Sequence, residues 1–240
     1  MTAEDQLIGM GASGSDERIA AMRVSRWAPA SRGDGRMDTV TVHTSWTHIG
    51  RLWTNGEPYL AVDAAVRHSW RGMSNDEYDR IVGMTPEETS IAVAGSTALL
   101  VGADGVVRDD SWMEVFESAE GALAIVQASG PDYRRALESA LNHPSTSDDV
   151  GDALSIPSGD LAIFSAALDG VGEHAMPLSP PQPGPSPADH GPPSREPDTG
   201  LLLPACGNGY TLRVRWYTEI DDQSCFARWL LLPTHHRQPT

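Results

Sequence analysis

Carboxylates are the most abundant groups in this sequence that could do chemistry, and they come in clusters: Asp76, Glu77 and Asp79; Glu87 and Glu88; Asp109, Asp110 and Glu114; Glu117 and Glu120; Asp221 and Asp222. Two carboxylates on facing elements can divide acid and base duties in glycoside hydrolysis, if a cleft raises the pKa of one of them. Taken singly, each cluster reads more simply as a solvated face. Other reactive types are sparse. His235 and His236 stand in a polar C-terminal run with no Cys or carboxylate at metal-ligand spacing. Cys225 opens an apolar run, a setting that suits an inert thiol better than a nucleophile. Arg213 and Arg215 share a strand face that could hold phosphate, but in so acidic a chain they read as ion-paired. No P-loop and no GxSxG elbow occurs. These patterns lead us to expect no catalytic residue, no metal and no cofactor.

Charge narrows the partner. The formal net charge is -16 and the sequence pI about 4.7. Residues 1–37 hold five acids and five arginines, so the remainder carries 33 - 5 = 28 acids against 17 - 5 = 12 arginines. An acidic body repels nucleic acid and membrane phosphate, and it speeds encounter with a basic protein. No apolar run approaches the roughly 20 residues that cross a bilayer, and the N-terminus is acidic where a secretory signal is basic. A cytoplasmic location is expected. Two cysteines, Cys206 and Cys225, are too few for a disulfide framework and read as reduced thiols.

The elements that must position these groups are mostly strands. Residues 39–46 alternate apolar and polar, and Tyr59 to Val62 reads as a short buried strand. Ser74 or Asn75 would cap a helix starting at Asp76. Strands over 89–94 and 98–102 flank Gly95-Ser96-Thr97 as a hairpin turn, and 112–116 with 122–128 form a second pair. Pro131 opens a helix in which Tyr133, Leu137 and Leu141 recur at i, i+4 and i+8, and Pro144 closes it. After an acidic connector, 161–168 reads as a buried strand, and 210–217 with 225–232 form a final pair. The expected fold is α+β, with mixed, mostly antiparallel sheets, two or three short helices and a strand-rich C-terminal module. We divide the chain into an N-terminal extension (1–37), an α+β domain (38–147), the C-terminal module (148–175 with 201–234), a proline-rich insert (176–200) and a tail (235–240). Extension, insert and tail are expected to be disordered.

One stretch looks like a signature. Residues 53–80 contain Gly56-Glu57-Pro58, the strand from Tyr59 to Val62, Trp70-Arg71-Gly72 and Glu77-Tyr78-Asp79-Arg80. Over residues 43–130 the chain resembles the twenty-first immunity protein family of bacterial polymorphic toxin systems, common in actinobacteria. In that family a G-G-P turn precedes a buried strand, then W-x-G, then D-Y-D-R before a hairpin. Glu57 replaces a turn glycine here, and Ile81-Val82 replace small residues. The resemblance implies a non-catalytic protein that binds and occludes a cognate toxin made by the same cell, a basic one given the acidic body. Asp76, Glu77, Asp79, Asp109, Asp110 and Glu114 bracket the family-like region and are the expected partner-binding residues. A general cytoplasmic interaction module and a hydrolase with paired carboxylates remain as alternatives. The run from Gly209 to Trp216 resembles a module of uncharacterised actinobacterial proteins, which implies no activity.

Overall fold

Side-chain alternation along the strands sets the layers. On the strand Leu123–Ser129, Leu123 and Ile125 enter the main core while Ala124, Val126 and Ala128 face the other way, under a helix. The strand Ser224–Pro233 does the same, with Ala227, Trp229 and Leu231 on one side and Phe226 and Leu230 on the other. Sheets that are apolar on both faces must be covered on both, and here a second sheet covers one face and a helix the other.

A computed structural model describes residues 45–85, 87–102, 107, 111–184 and 199–234. Twelve strands occur among them: β1 Trp46–Thr54, β2 Tyr59–Asp63, β3 Ser90–Val93, β4 Ser96–Val101, β5 Ser111–Ser118, β6 Leu123–Ser129, β7 Asp149–Ser155, β8 Asp160–Ser165, β9 Leu178–Ser179, β10 Gly200–Pro204, β11 Gly209–Asp221 and β12 Ser224–Pro233. Two α-helices, α1 Asp79–Val82 and α2 Tyr133–Asn142, accompany them. The fold is α+β and sheet-rich. The first sheet runs β1-β5-β6-β12-β11-β7 and is antiparallel throughout. The second runs β3-β4-β2-β8-β10-β9, with only β9 parallel to its neighbour.

The sheets share one core that includes Leu52, Leu60, Leu99, Ile125, Phe164, Leu212 and Trp229. They approach closely at Gly50 of β1, where an added Cβ would stand 3.0 Å from Leu201 Cδ2 of β10. Helix α2 lies on the outer face of the first sheet, against β6 and β12, burying Ala136, Leu137 and Ala140.

The segments we separated at residue 147 are interleaved in both sheets. β12 sits between β6 and β11, and β8 pairs with β2. Buried strands cannot leave a ladder edge unpaired, and these distant strands supply the missing partners. Smaller differences have equally local causes. Asp76 adopts a positive φ of 54°, which breaks the expected helix, so α1 begins at Asp79 as a single turn with no side-chain cap. The hairpin turns at Ala94-Gly95, with φ of 50° and 79°, one residue earlier than expected; both residues adopt the positive φ of a tight two-residue turn. Asp132 caps α2 by accepting from the Arg135 N–H at 3.0 Å, which places Pro131 just outside the helix. The acidic connector contains β7, and the proline-rich insert is structured at both ends through β9 and β10. The expected extension, tail and strand residues 39–44 lie outside the described residues, as does 185–198 of the insert.

Candidate functional site

The signature residues form a corner closed by bonds to residues 166–171 and by bonds to Glu77 within it. Trp70 is fully buried and donates from Nε1 to the Ala166 carbonyl at 2.9 Å. Gly72 is required beside it, because a Cβ there would overlap the Ala166 carbonyl oxygen and lie 2.8 Å from the Leu168 oxygen. The Arg71 N–H donates to Glu77 at 2.7 Å, and Arg80 donates to the other Glu77 oxygen at 3.2 Å. The Arg80 guanidinium lies 5.8 Å from the Trp70 ring and also donates to the Ala92 carbonyl. Buried Asp169 accepts from the Met73 and Ser74 N–H groups and from the Ser74 hydroxyl. Burial alone would raise the Asp169 carboxyl, but these donors and Arg71 hold it below the usual carboxylate range.

Glu77 is therefore committed to intramolecular bonds, although it stays half-exposed. Asp76 and Asp79 are exposed beside it. Glu114 is corrected outright as a surface residue: its side chain is 1% exposed. His48 Nε2 lies 2.8 Å from one of its oxygens, while Arg51 and the Tyr133 hydroxyl donate to the other at 3.1 and 3.2 Å. Burial and the adjoining Glu114 push the Tyr133 hydroxyl well above the ordinary phenol range. A carboxylate with three partners beneath the start of α2 has no reach toward another protein. Asp109 and Asp110 lie outside the described residues.

A second buried charge cluster ties the end of α2 to the sheet. Arg228 of β12 donates to the Ala140 and His143 carbonyls at 2.7 and 2.9 Å and to Asp148 at 2.7 Å. It thereby satisfies the His143 carbonyl beyond the helix end and adds a charged donor to the Ala140 carbonyl, which also accepts from the His143 N–H at 3.3 Å. Arg215 meets the other Asp148 oxygen at 2.8 Å, which makes it the ion-paired residue the acidic surroundings suggested. Glu57, in the turn before β2, behaves differently. Burial pushes its carboxyl up, partly offset by the Ser165 hydroxyl at 3.5 Å. Tyr78 nearby is pushed up to about 12 by burial and by Glu57. The side-chain partner of Glu57 is thus a hydroxyl, whereas paired-carboxylate hydrolysis needs a second acid.

An open acidic depression lies where both sheets end. β7 and β3 are edge strands of different sheets on the same flank, joined by the Ser90 hydroxyl donating to Asp152 at 2.6 Å. Glu87, Glu88, Thr89, Ser90, Val150, Gly151 and Asp152 line a depression of about 360 Å³ there. Gly151 lets the Thr89 hydroxyl approach, since a Cβ would stand 2.8 Å from it. Val150 is 66% exposed, the most exposed large apolar side chain among the described residues. No further strand pairs with β7 among the described residues. Sequence reasoning noted Glu87 and Glu88 as a pair but missed Asp152 and Val150, because an edge strand with polar residues on both faces reads as a connector. A different surface holds Trp53 and Trp112, directly opposite in the β1–β5 ladder, with ring centroids 5.0 Å apart and Arg51 over Trp112.

No helix among the described residues is long and apolar enough to cross a membrane, and no group of three or more His, Cys, Asp or Glu among them could hold a metal. No protein-family model, no curated protein and no solved structure matches the chain.

Proposed function

We propose that this chain is a non-catalytic immunity protein that neutralises a basic toxin by binding it, with the flank formed by β7 and β3 as its contact surface. The observation that carries the reading is the open depression in which Glu87, Glu88 and Asp152 surround exposed Val150 beside the unpaired edge of β7. Carboxylates at such a rim steer a cationic partner and raise its association rate. The apolar side chain and the strand edge offer contacts that survive once water is displaced. Asp76 and Asp79 are exposed as well and add to the negative charge of the surface. The deeply buried charges are consumed by the fold: Glu114, Asp148, Asp169 and Arg228 each hold two or more partners. The resemblance of residues 43–130 supplies the toxin as the class of partner.

The test is co-expression with the product of the adjoining upstream gene, in a host that product alone kills. Rescue with a co-purifying complex supports the reading; killing that persists while this chain is soluble and folded removes it. The flank is tested by Glu87→Lys, Glu88→Lys and Asp152→Lys together, which should slow association at low salt by at least about tenfold. Unchanged association by the folded variant moves the contact elsewhere.

A second reading, a general interaction module of the cytoplasm, is favoured by Trp53 and Trp112 with Arg51, a composition typical of interface anchors. Trp112→Ala separates the two: loss of binding in that variant, with none in the charge-reversed one, assigns the contact to the aromatic surface.

A further inference from the structure

The proline-rich segment has a structural task that its composition hides. Its start is anchored: the Met176 side chain is 3% exposed, and Arg67 donates to the Met176 carbonyl. β9 then pairs in parallel with β10, Leu178 opposite Gly200 and Ser179 opposite Leu201, closing the edge of the second sheet. From there the chain crosses to the first sheet. The Gln182 N–H donates to the Ile49 carbonyl at 2.8 Å, and the Gly184 N–H donates to the His48 carbonyl at 3.3 Å. One strap thus covers the edges of both sheets on the flank opposite β7 and β3.

The spacing of prolines matters here. Residues 180–184 read Pro-Pro-Gln-Pro-Gly, and proline has no N–H. The two residues that retain a donor are the two that bond β1. The prolines leave the strap few donors with which to template another strand. The two flanks also differ in charge. β7, with the sequence D-V-G-D-A-L-S, carries two acids that repel a second copy of this acidic chain. β1, with the sequence W-T-H-I-G-R-L-W-T, carries none and runs for nine residues. An acid-free edge of that length, interrupted only by the irregularity between His48 and Gly50, can pair antiparallel with its own copy about a two-fold axis. We propose that the strap over residues 176–184 is an edge lock: it bonds β1 at the His48 and Ile49 carbonyls and prevents pairing with β1 of a second copy of this chain.

Two measurements on the full chain test the lock. Hydrogen exchange of wild-type protein should show the Gln182 and Gly184 amides slowed by about tenfold or more relative to a free peptide, the factor one net backbone hydrogen bond supplies. Exchange at the free-peptide rate overturns the proposal, whatever any variant does. Gln182→Pro removes the shorter bond while keeping the extended backbone. Sedimentation velocity should then show a dimer or larger species that grows with concentration, while wild type stays monomeric. A Gln182→Pro protein with native circular dichroism that remains monomeric across the same concentrations overturns the lock. If that variant does not fold, Gly184→Pro, which removes the longer bond, is held to the same readout.

Discussion

Removing the Asp148 carboxylate should be among the most damaging single changes in this protein. Its side chain is fully buried and bridges Arg228, 2% exposed, and Arg215, 18% exposed. Asp148→Ala leaves the Arg228 charge buried with only the Ala140 and His143 carbonyls for company, and breaking a buried pair this way costs about 3–5 kcal/mol. Arg228→Met leaves Asp148 its second cation but strips the donor from the His143 carbonyl, while the Ala140 carbonyl keeps the His143 N–H at 3.3 Å. That cost is about 1–3 kcal/mol, the penalty of one carbonyl left without its donor. The double variant removes the stranded charge together with its counter-ion. It should therefore be less damaged than the sum of the singles, with a coupling of about 2 kcal/mol or more. Urea denaturation of the four proteins, with unchanged m values, supplies the cycle. Because the pair is buried, the coupling should persist from 0.1 to 0.5 M salt. A cost below about 1 kcal/mol for Asp148→Ala, or singles that add within about 0.5 kcal/mol, would refute the reasoning.

Two further outcomes follow from neighbouring geometry. Burial, with the charges of Arg215 and Arg228, holds the His143 imidazole below its ordinary range, against a smaller opposing pull from Asp148. The unfolded chain therefore takes up this proton first, so stability present above about pH 6.5 falls as pH drops toward the folded-state pKa; thermal melts of wild type at pH 7.5 and 5.5 should differ more than those of His143→Gln, and equal differences would exclude the histidine as the source. Gly72→Ala should cost about 3 kcal/mol or more, because the added methyl meets backbone carbonyls of residues 166 and 168 that cannot rotate away; a loss under 1 kcal/mol in urea would show the corner to be looser than drawn.

Local structure was legible where one face of an element decides it. Period-two alternation locates β12 within a residue and the start of β11, which runs four residues past the expected end, and the i, i+4 recurrence locates α2. Turn chemistry was less reliable, since the positive φ at Ala94 and Asp76 has no residue-type signal as strong as glycine. The candidate site was mostly illegible. Glu114 and Glu87 look alike in sequence, yet one is sealed beneath α2 and the other lines an open flank. Nothing within a few residues of either announces which face of which strand will be covered.

By itself the sequence determined the sheet-rich class, the acidic charge, and the positions of α2 and of strands such as β2, β6 and β12, because each depends on residue type or on spacing within one element; the need for Gly72 was set by the distant Ala166 and Leu168 carbonyls. Tertiary structure alone decided that β12 enters between β6 and β11, that Glu114 belongs to the interior, and that prolines 180, 181 and 183 strap an edge instead of linking two modules. The physical reason is shared. Side-chain periodicity is encoded between near neighbours, whereas ladder edges and buried charges must find partners, and those partners lie 88 residues away for Arg228 and the end of α2 and 109 away for Arg67 and the Met176 carbonyl.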